Sequence, residues 1–149
     1  MKQEALDCLC PALDASAAEF RPSQWLIRLW KPEPAPQWVA CVPSLSCPEL
    51  VPDFAERLAG ALGIPFSACI EKVRSNQPQK EMQNSFQQAR NLDGVFTFAR
   101  EKKVYKPCLL VDDMVDSRWT FTVLSALLRM NGVQAVHPLA LALTASGDA

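Results

Sequence analysis

The sequence predicts an α/β fold with a mainly parallel sheet flanked by helices. Three observations predict it. Short apolar runs of strand length alternate with longer segments whose apolar residues recur at helical spacing. The strand-like runs are continuous rather than alternating, as in sheets covered on both faces. Hydrophobic residues make up 49% and charged residues 21% of 149 residues, enough for one domain with a sizeable core.

Taken in order, residues 1–37 read as an extension. Leu6, Leu9 and Leu13 form a weak stripe that Pro11 interrupts. Pro22 suits the first turn of a helix over residues 22–30, with Trp25, Leu26, Leu29 and Trp30 on one face. Pro32, Pro34 and Pro36 make residues 31–37 an extended linker. The main domain spans residues 38–149. Residues 38–42 read as its first strand, ended by Pro43. Residues 50–62 read as a helix with Phe54, Leu58, Ala61 and Leu62 inward, stopped by Gly63. Residues 65–70 read as the second strand, 72–80 as a polar loop, 81–91 as a helix and 94–98 as a short strand. The last strand lies within residues 133–143, with His137 in it or at its edge in a structural role. Residues 144–149 read as a frayed end.

The chain is organised around residues 106–130. Residues 108–111 predict a buried strand, with Asp112 and Asp113 where it ends. A loop follows over residues 114–120. From Thr120, Phe121, Val123, Leu124, Leu127, Leu128 and Met130 recur at helical spacing, and Asn131-Gly132 offers a stop. The first turn of a helix has unpaired N–H groups and a partial positive charge, so it can hold a phosphate. Ser117 and Thr120 add hydroxyls there. The two carboxylates would repel a phosphate, but they can accept from sugar hydroxyls or hold a divalent metal. The ligand outlined is a phosphorylated sugar. The plainer alternative is a helix N-terminus with acids favourable to its dipole.

This stretch resembles the phosphoribosyl pyrophosphate (PRPP) signature of type I phosphoribosyltransferases. The resemblance implies that fold. It implies that Asp112 and Asp113 hold the ribose hydroxyls, and that Asp116, Ser117, Arg118, Trp119 and Thr120 hold the 5-phosphate. Arg118 departs from the family, which usually has Gly there. Val42, Pro43 and Ser44 stand where the family places its pyrophosphate loop. Lys72, Arg74 and Lys80 are loop cations suited to pyrophosphate oxygens. The resemblance implies Mg²⁺ brought with PRPP, with no protein metal ligand assigned. From Trp38 onward, Lys72-Val73-Arg74, Pro78-Gln79-Lys80, Gln83, Arg90-Asn91-Leu92 and Gly94-Val95-Phe96 are similar to ComF-type proteins, associated with DNA uptake. The words WVACVPSLSCPELVPDFAERLA, PQKEMQNSFQQARNLDGVF and LLVDDMVDSRWT are similar to the C-terminal phosphoribosyltransferase-like domain of some bacterial RecQ-family helicases.

Two functions stay open: a PRPP-dependent transferase, and a non-catalytic ligand-sensing or interaction module of a DNA repair, recombination or uptake protein. No motif names an acceptor. No G-x-x-x-x-G-K-[ST] loop occurs, so the chain by itself is not expected to act as a helicase; a covalent or non-covalent link to one is. The net charge of −1, from 15 basic and 16 acidic residues, gives no nucleic-acid footprint. The absence of a signal peptide or apolar span predicts a cytoplasmic protein without membrane contact. The six scattered cysteines read as reduced thiols, and Cys8 and Cys10 lack a second pair to complete a metal site.

Overall fold

In the computed structural model, residues 30–44, 48–76, 84–99, 105–115 and 118–143 are described. The elements are β1 (Trp38–Cys41), α1 (Leu50–Leu62), β2 (Ile70–Lys72), α2 (Ser85–Leu92), β3 (Phe96–Phe98), β4 (Cys108–Val115), α3 (Trp119–Met130) and β5 (Val136–Leu143). β1, β4 and β5 form a parallel sheet in the order β1-β4-β5, and β2 and β3 form a separate antiparallel pair. The expected α/β class with a mainly parallel sheet is therefore found.

Side chains alternate across a strand, so the sheet has two covered faces. Val39, Cys41, Leu109 and Val111 pack against Val51, Phe54, Ala55, Leu58 and Ala59 of α1. Trp38, Ala40, Val42, Cys108 and Leu110 pack on the other face against Leu124 and Leu128 of α3, with Ile70 and Phe98 from the antiparallel pair and Cys69 just before it. Leu58, Leu109, Leu110, Leu124 and Leu128 are fully buried. Each contributes about 1.5–3 kcal/mol by leaving water. No polar or charged residue is buried among those described, so the apolar layers hold the fold and leave the site's acids half-exposed.

Both flanking helices end the same way. Ile64 N–H donates to Ala59 O and Gly63 N–H to Gly60 O. Val133 N–H donates to Leu128 O and Gly132 N–H to Arg129 O. Each is a Schellman turn with Gly at positive φ, 71° at Gly63 and 96° at Gly132, followed by an apolar residue.

Several boundaries differ from expectation. The second strand is Ile70–Lys72, not residues 65–70; of the earlier stretch only Phe66 bridges to Val39 of β1. α2 begins at Ser85, where Asn84 caps it by accepting from Gln87 N–H at 2.9 Å. β4 continues four residues past Val111, and α3 starts one residue before Thr120. The expected helix over residues 22–30 lies outside the described residues except for Trp30. Trp30 meets the His137 ring edge-on at 6.0 Å, and His137 Nε2 lies 2.8 Å from the Pro34 carbonyl oxygen. His137 is thus within β5 and joined to the linker.

Candidate functional site

β1 stops while β4 continues, and the site follows from that mismatch. Cys41 is the last β1 residue in register, opposite Val111. Val42 N–H then donates to Val111 O at 2.8 Å, which holds the 42–44 loop against β4. Beyond that point β4 pairs only with β5: Asp112 lies opposite Ala140 and Met114 opposite Ala142. In the sequence the two acids were expected after a strand ending at Val111. They lie inside β4 instead, on the part that overruns β1.

The backbone explains the position of the first carboxylate. Successive residues of a parallel strand point their N–H and C=O groups to opposite neighbours. Val111 faces β1 and Asp112 faces β5, so Asp113 faces the side that β1 has left. Its N–H donates to Asp112 Oδ1 at 2.9 Å. The Asp112 side chain thus stands in for the missing strand, and the acid is fixed by its own neighbour. Pro43, Ser44, Asp112 and Asp113 are all half-buried, positioned by the core yet open to solvent.

The charge of Asp112 is felt at β1. Burial pushes the Cys41 thiol up to about 12, with Cys69 and then the Asp112 carboxylate adding to the effect. Burial raises the Cys108 thiol as well, with Cys69 as the next cause. Among the described residues, Cys41, Cys69 and Cys108 are buried and in no disulfide. Protonated buried thiols are poor nucleophiles and poor metal ligands. Cys8, Cys10 and Cys47 lie outside the described residues. Among the described residues no cluster of three or more His, Cys, Asp or Glu could hold a metal.

α3 begins soon after β4 ends. Its N-cap residue Arg118 has helical backbone angles and provides no side-chain cap. Its carbonyl accepts from both Thr122 N–H and Thr122 Oγ1 at 3.0 Å. The N–H groups of the first turn cannot bond within the helix, and among the described residues no side chain caps them. Trp119 and Thr120 sit half-buried in that turn, and Arg118 is exposed. Asp116 and Ser117 lie outside the described residues.

The other expected cations are placed differently. Lys72 is the last residue of β2, and its Nζ lies 6.0 Å from the centre of the Phe96 ring. Arg74 donates through Nη2 to the Asp93 carbonyl at the end of α2. Lys72 thus lies within a strand, and Arg74, exposed in the segment after it, reaches the end of α2. Lys80 lies outside the described residues. Sequence reasoning did not anticipate a groove of about 700 Å³ beside Arg118, bordered by Phe121 of α3 and by Ala140 and Ala142 of β5. The alternation of Ala and Leu over residues 139–143 was its one available signal.

No protein-family model matches the chain, and a comparison with curated proteins finds no match. Solved structures do resemble it. One is an allosteric regulatory enzyme of purine biosynthesis, with TM-score 0.49 and 25% identity over 74% of this chain and 23% of that one. Another is a glutamine PRPP amidotransferase from B. subtilis complexed with ADP and GMP, with TM-score 0.45 and 28% identity over 70% of this chain and 22% of that one. The chain thus spans less than a quarter of either. Scores this low leave the functional argument to the local geometry.

Proposed function

We propose that this chain is a phosphoribosyltransferase-like domain that binds PRPP or a related phosphorylated ribose at the overrunning end of β4. One observation carries the reading: β4 passes the end of β1, which leaves Asp112 and Asp113 beside the 42–44 loop and shortly before a helix N-terminus that no described side chain caps. Acceptors suited to sugar hydroxyls and donors suited to phosphate thereby follow one another along the chain.

Asp112 and Asp113 take the ribose hydroxyls. Thr120, Ser117 and the first-turn N–H groups take the 5-phosphate, with Asp116 and Trp119 in the same loop and Arg118 adding its guanidinium. The 42–44 loop takes pyrophosphate oxygens, with Lys72, Arg74 and Lys80 reserved for a rearranged, ligand-bound state. Mg²⁺ fits this donor set only as a passenger of the ligand, since the described residues offer two carboxylates and no metal cluster. When bound with the ligand it would neutralise pyrophosphate charge.

The transferase reading requires C1 of the ribose to be attacked as pyrophosphate leaves. These residues would align the sugar and neutralise the departing group. The second reading is a non-catalytic sensor or docking module, linked to a RecQ-family helicase in a bacterial cytoplasm. It is favoured by the sequence likeness to that domain, by the near-neutral charge and by the absence of an acceptor motif. No described helix is long and apolar enough to cross a membrane.

Thermal unfolding with and without PRPP and Mg²⁺ tests the site. Ligand at about a hundred times its dissociation constant adds roughly 2.7 kcal/mol of stability. The effect should vanish when Asp112 and Asp113 are both changed to Asn. No effect on the wild type at millimolar ligand refutes PRPP binding. Pyrophosphate release with candidate acceptors then separates transferase from sensor.

A further inference from the structure

Among the described residues, one wall of the groove beside Arg118 is an unpaired backbone edge. β5 is the end strand of the sheet order β1-β4-β5. The Ala135 carbonyl accepts from Cys108 N–H at 2.8 Å, so odd-numbered residues of β5 face β4 and even-numbered residues face outward. Pro138 supports this assignment, because its missing N–H falls on the outer side, where proline is tolerated. The outer edge therefore offers the carbonyls of Val136, Pro138, Ala140 and Ala142 and the N–H groups of Val136, Ala140 and Ala142. Among the described residues nothing pairs with them.

The groove joins this edge to chemistry of one sign. Pro138, Ala140 and Ala142 line one side, and Phe121 and the exposed Arg118 line the other. Arg118 is the one charged residue in the lining, and it has no ion pair among the described residues. The small Ala side chains leave room for an apolar group beside the Phe121 ring. Soluble proteins seldom leave so long an uncharged edge strand uncovered, because it invites pairing.

We propose that this groove takes an extended peptide segment of a partner protein, added as a strand along the outer edge of β5. The segment places a carboxylate at Arg118, in competition with the 5-phosphate proposed above, and an apolar side chain between Phe121 and the two alanines. Main-chain bonds supply affinity, and alternate side chains supply the choice of sequence. A second copy of this chain fits less well. Its own edge, VHPLALAL, carries no carboxylate for Arg118, and pairing two such edges leaves gaps at both Pro138 residues.

The test is an amide chemical-shift titration of the whole chain, without any phosphorylated ligand. The probe is a capped six-residue peptide alternating valine and threonine around one aspartate, with an asparagine counterpart. Shifts should concentrate on residues 136–142 and the first turns of α3. The aspartate peptide should bind about tenfold more tightly, the difference one charge-assisted contact makes. Arg118→Glu should reverse that preference. Ala140→Pro removes an outward donor while sparing the ladder to β4, and should abolish binding with the melting temperature close to wild type. Shifts elsewhere, no shifts at millimolar peptide, or equal affinity for the two peptides would overturn the proposal. So would a dimer formed through this edge in the absence of peptide.

Discussion

Asp112 has two separable jobs, and two substitutions pull them apart. Its Oδ1 accepts from Asp113 N–H at 2.9 Å where β1 no longer pairs. Its charge is the feature proposed to meet the ribose. Asp112→Asn keeps a side-chain carbonyl at the same place, so the backbone bond survives while the charge is lost. Asp112→Ala loses both. An unmade hydrogen bond in a half-buried position costs about 0.5–1.5 kcal/mol, so the Ala variant should unfold earlier in urea by that amount. The Asn variant, which keeps this bond, should be destabilised less than the Ala variant. For the ligand, a hydrogen bond to a charged group is worth about 1.5–3 kcal/mol, so both variants should bind PRPP roughly ten- to a hundredfold more weakly by calorimetric titration. Equal destabilisation by Asn and Ala would refute the backbone role. PRPP affinity unchanged in Asp112→Asn would refute the ribose role.

Two further predictions concern the scaffold. The Cys41 thiol titrates near 9 when exposed and near 12 when buried, so stability is unaffected below about pH 9 and falls as pH rises between those values. The loss approaches about 1.4 kcal/mol per pH unit. Urea unfolding of Cys41→Ala between about pH 8 and pH 10 should show a shallower loss than wild type, and parallel slopes would contradict the burial of this thiol. At Gly132, φ is 96° and an added Cβ would lie 2.7 Å from Tyr105 Cδ1. Gly132→Ala should cost about 1–2 kcal/mol from the left-handed backbone alone. Tyr105→Ala should relieve the clash but not the strain, so a thermal-melt double-mutant cycle that restores full stability would contradict this division.

The legible parts of the fold are those where one physical signal acts alone. α1 is bounded by an apolar stripe and a glycine, and its Leu50–Leu62 limits match expectation. The same holds for the end of α3 at Asn131-Gly132. Trp38, at the start of the expected first strand, is buried in the core, with its Nε1 donating to Lys106 O at 2.8 Å. The extent of β4 was not legible. Asp112 and Asp113 disfavour a strand on propensity, and only the continued pairing with β5 keeps them extended. Lys72 was read as loop for the same reason, since Glu71 and Lys72 are polar and their pairing with β3 is a tertiary fact. For the site, the acids and the helix start could be read from residue type and order. The engagement of Arg74 with the end of α2 could not, because it joins segments distant in sequence.

The sheet register also bears on how the chain reaches its folded state. β4, α3 and β5 follow one another directly and form a βαβ unit whose partners are close in sequence. β1 joins them across a long gap: Trp38 Nε1 and its acceptor at Lys106 are 68 residues apart. Contacts of such separation carry a larger loop-closure cost and slow folding. The strand that completes the 42–44 side of the site is therefore expected to dock late, after the acids and the helix start are in place. The two halves of the site would then have separate histories, with the ribose and phosphate groups assembled locally and the opposite wall arriving only when the whole domain closes.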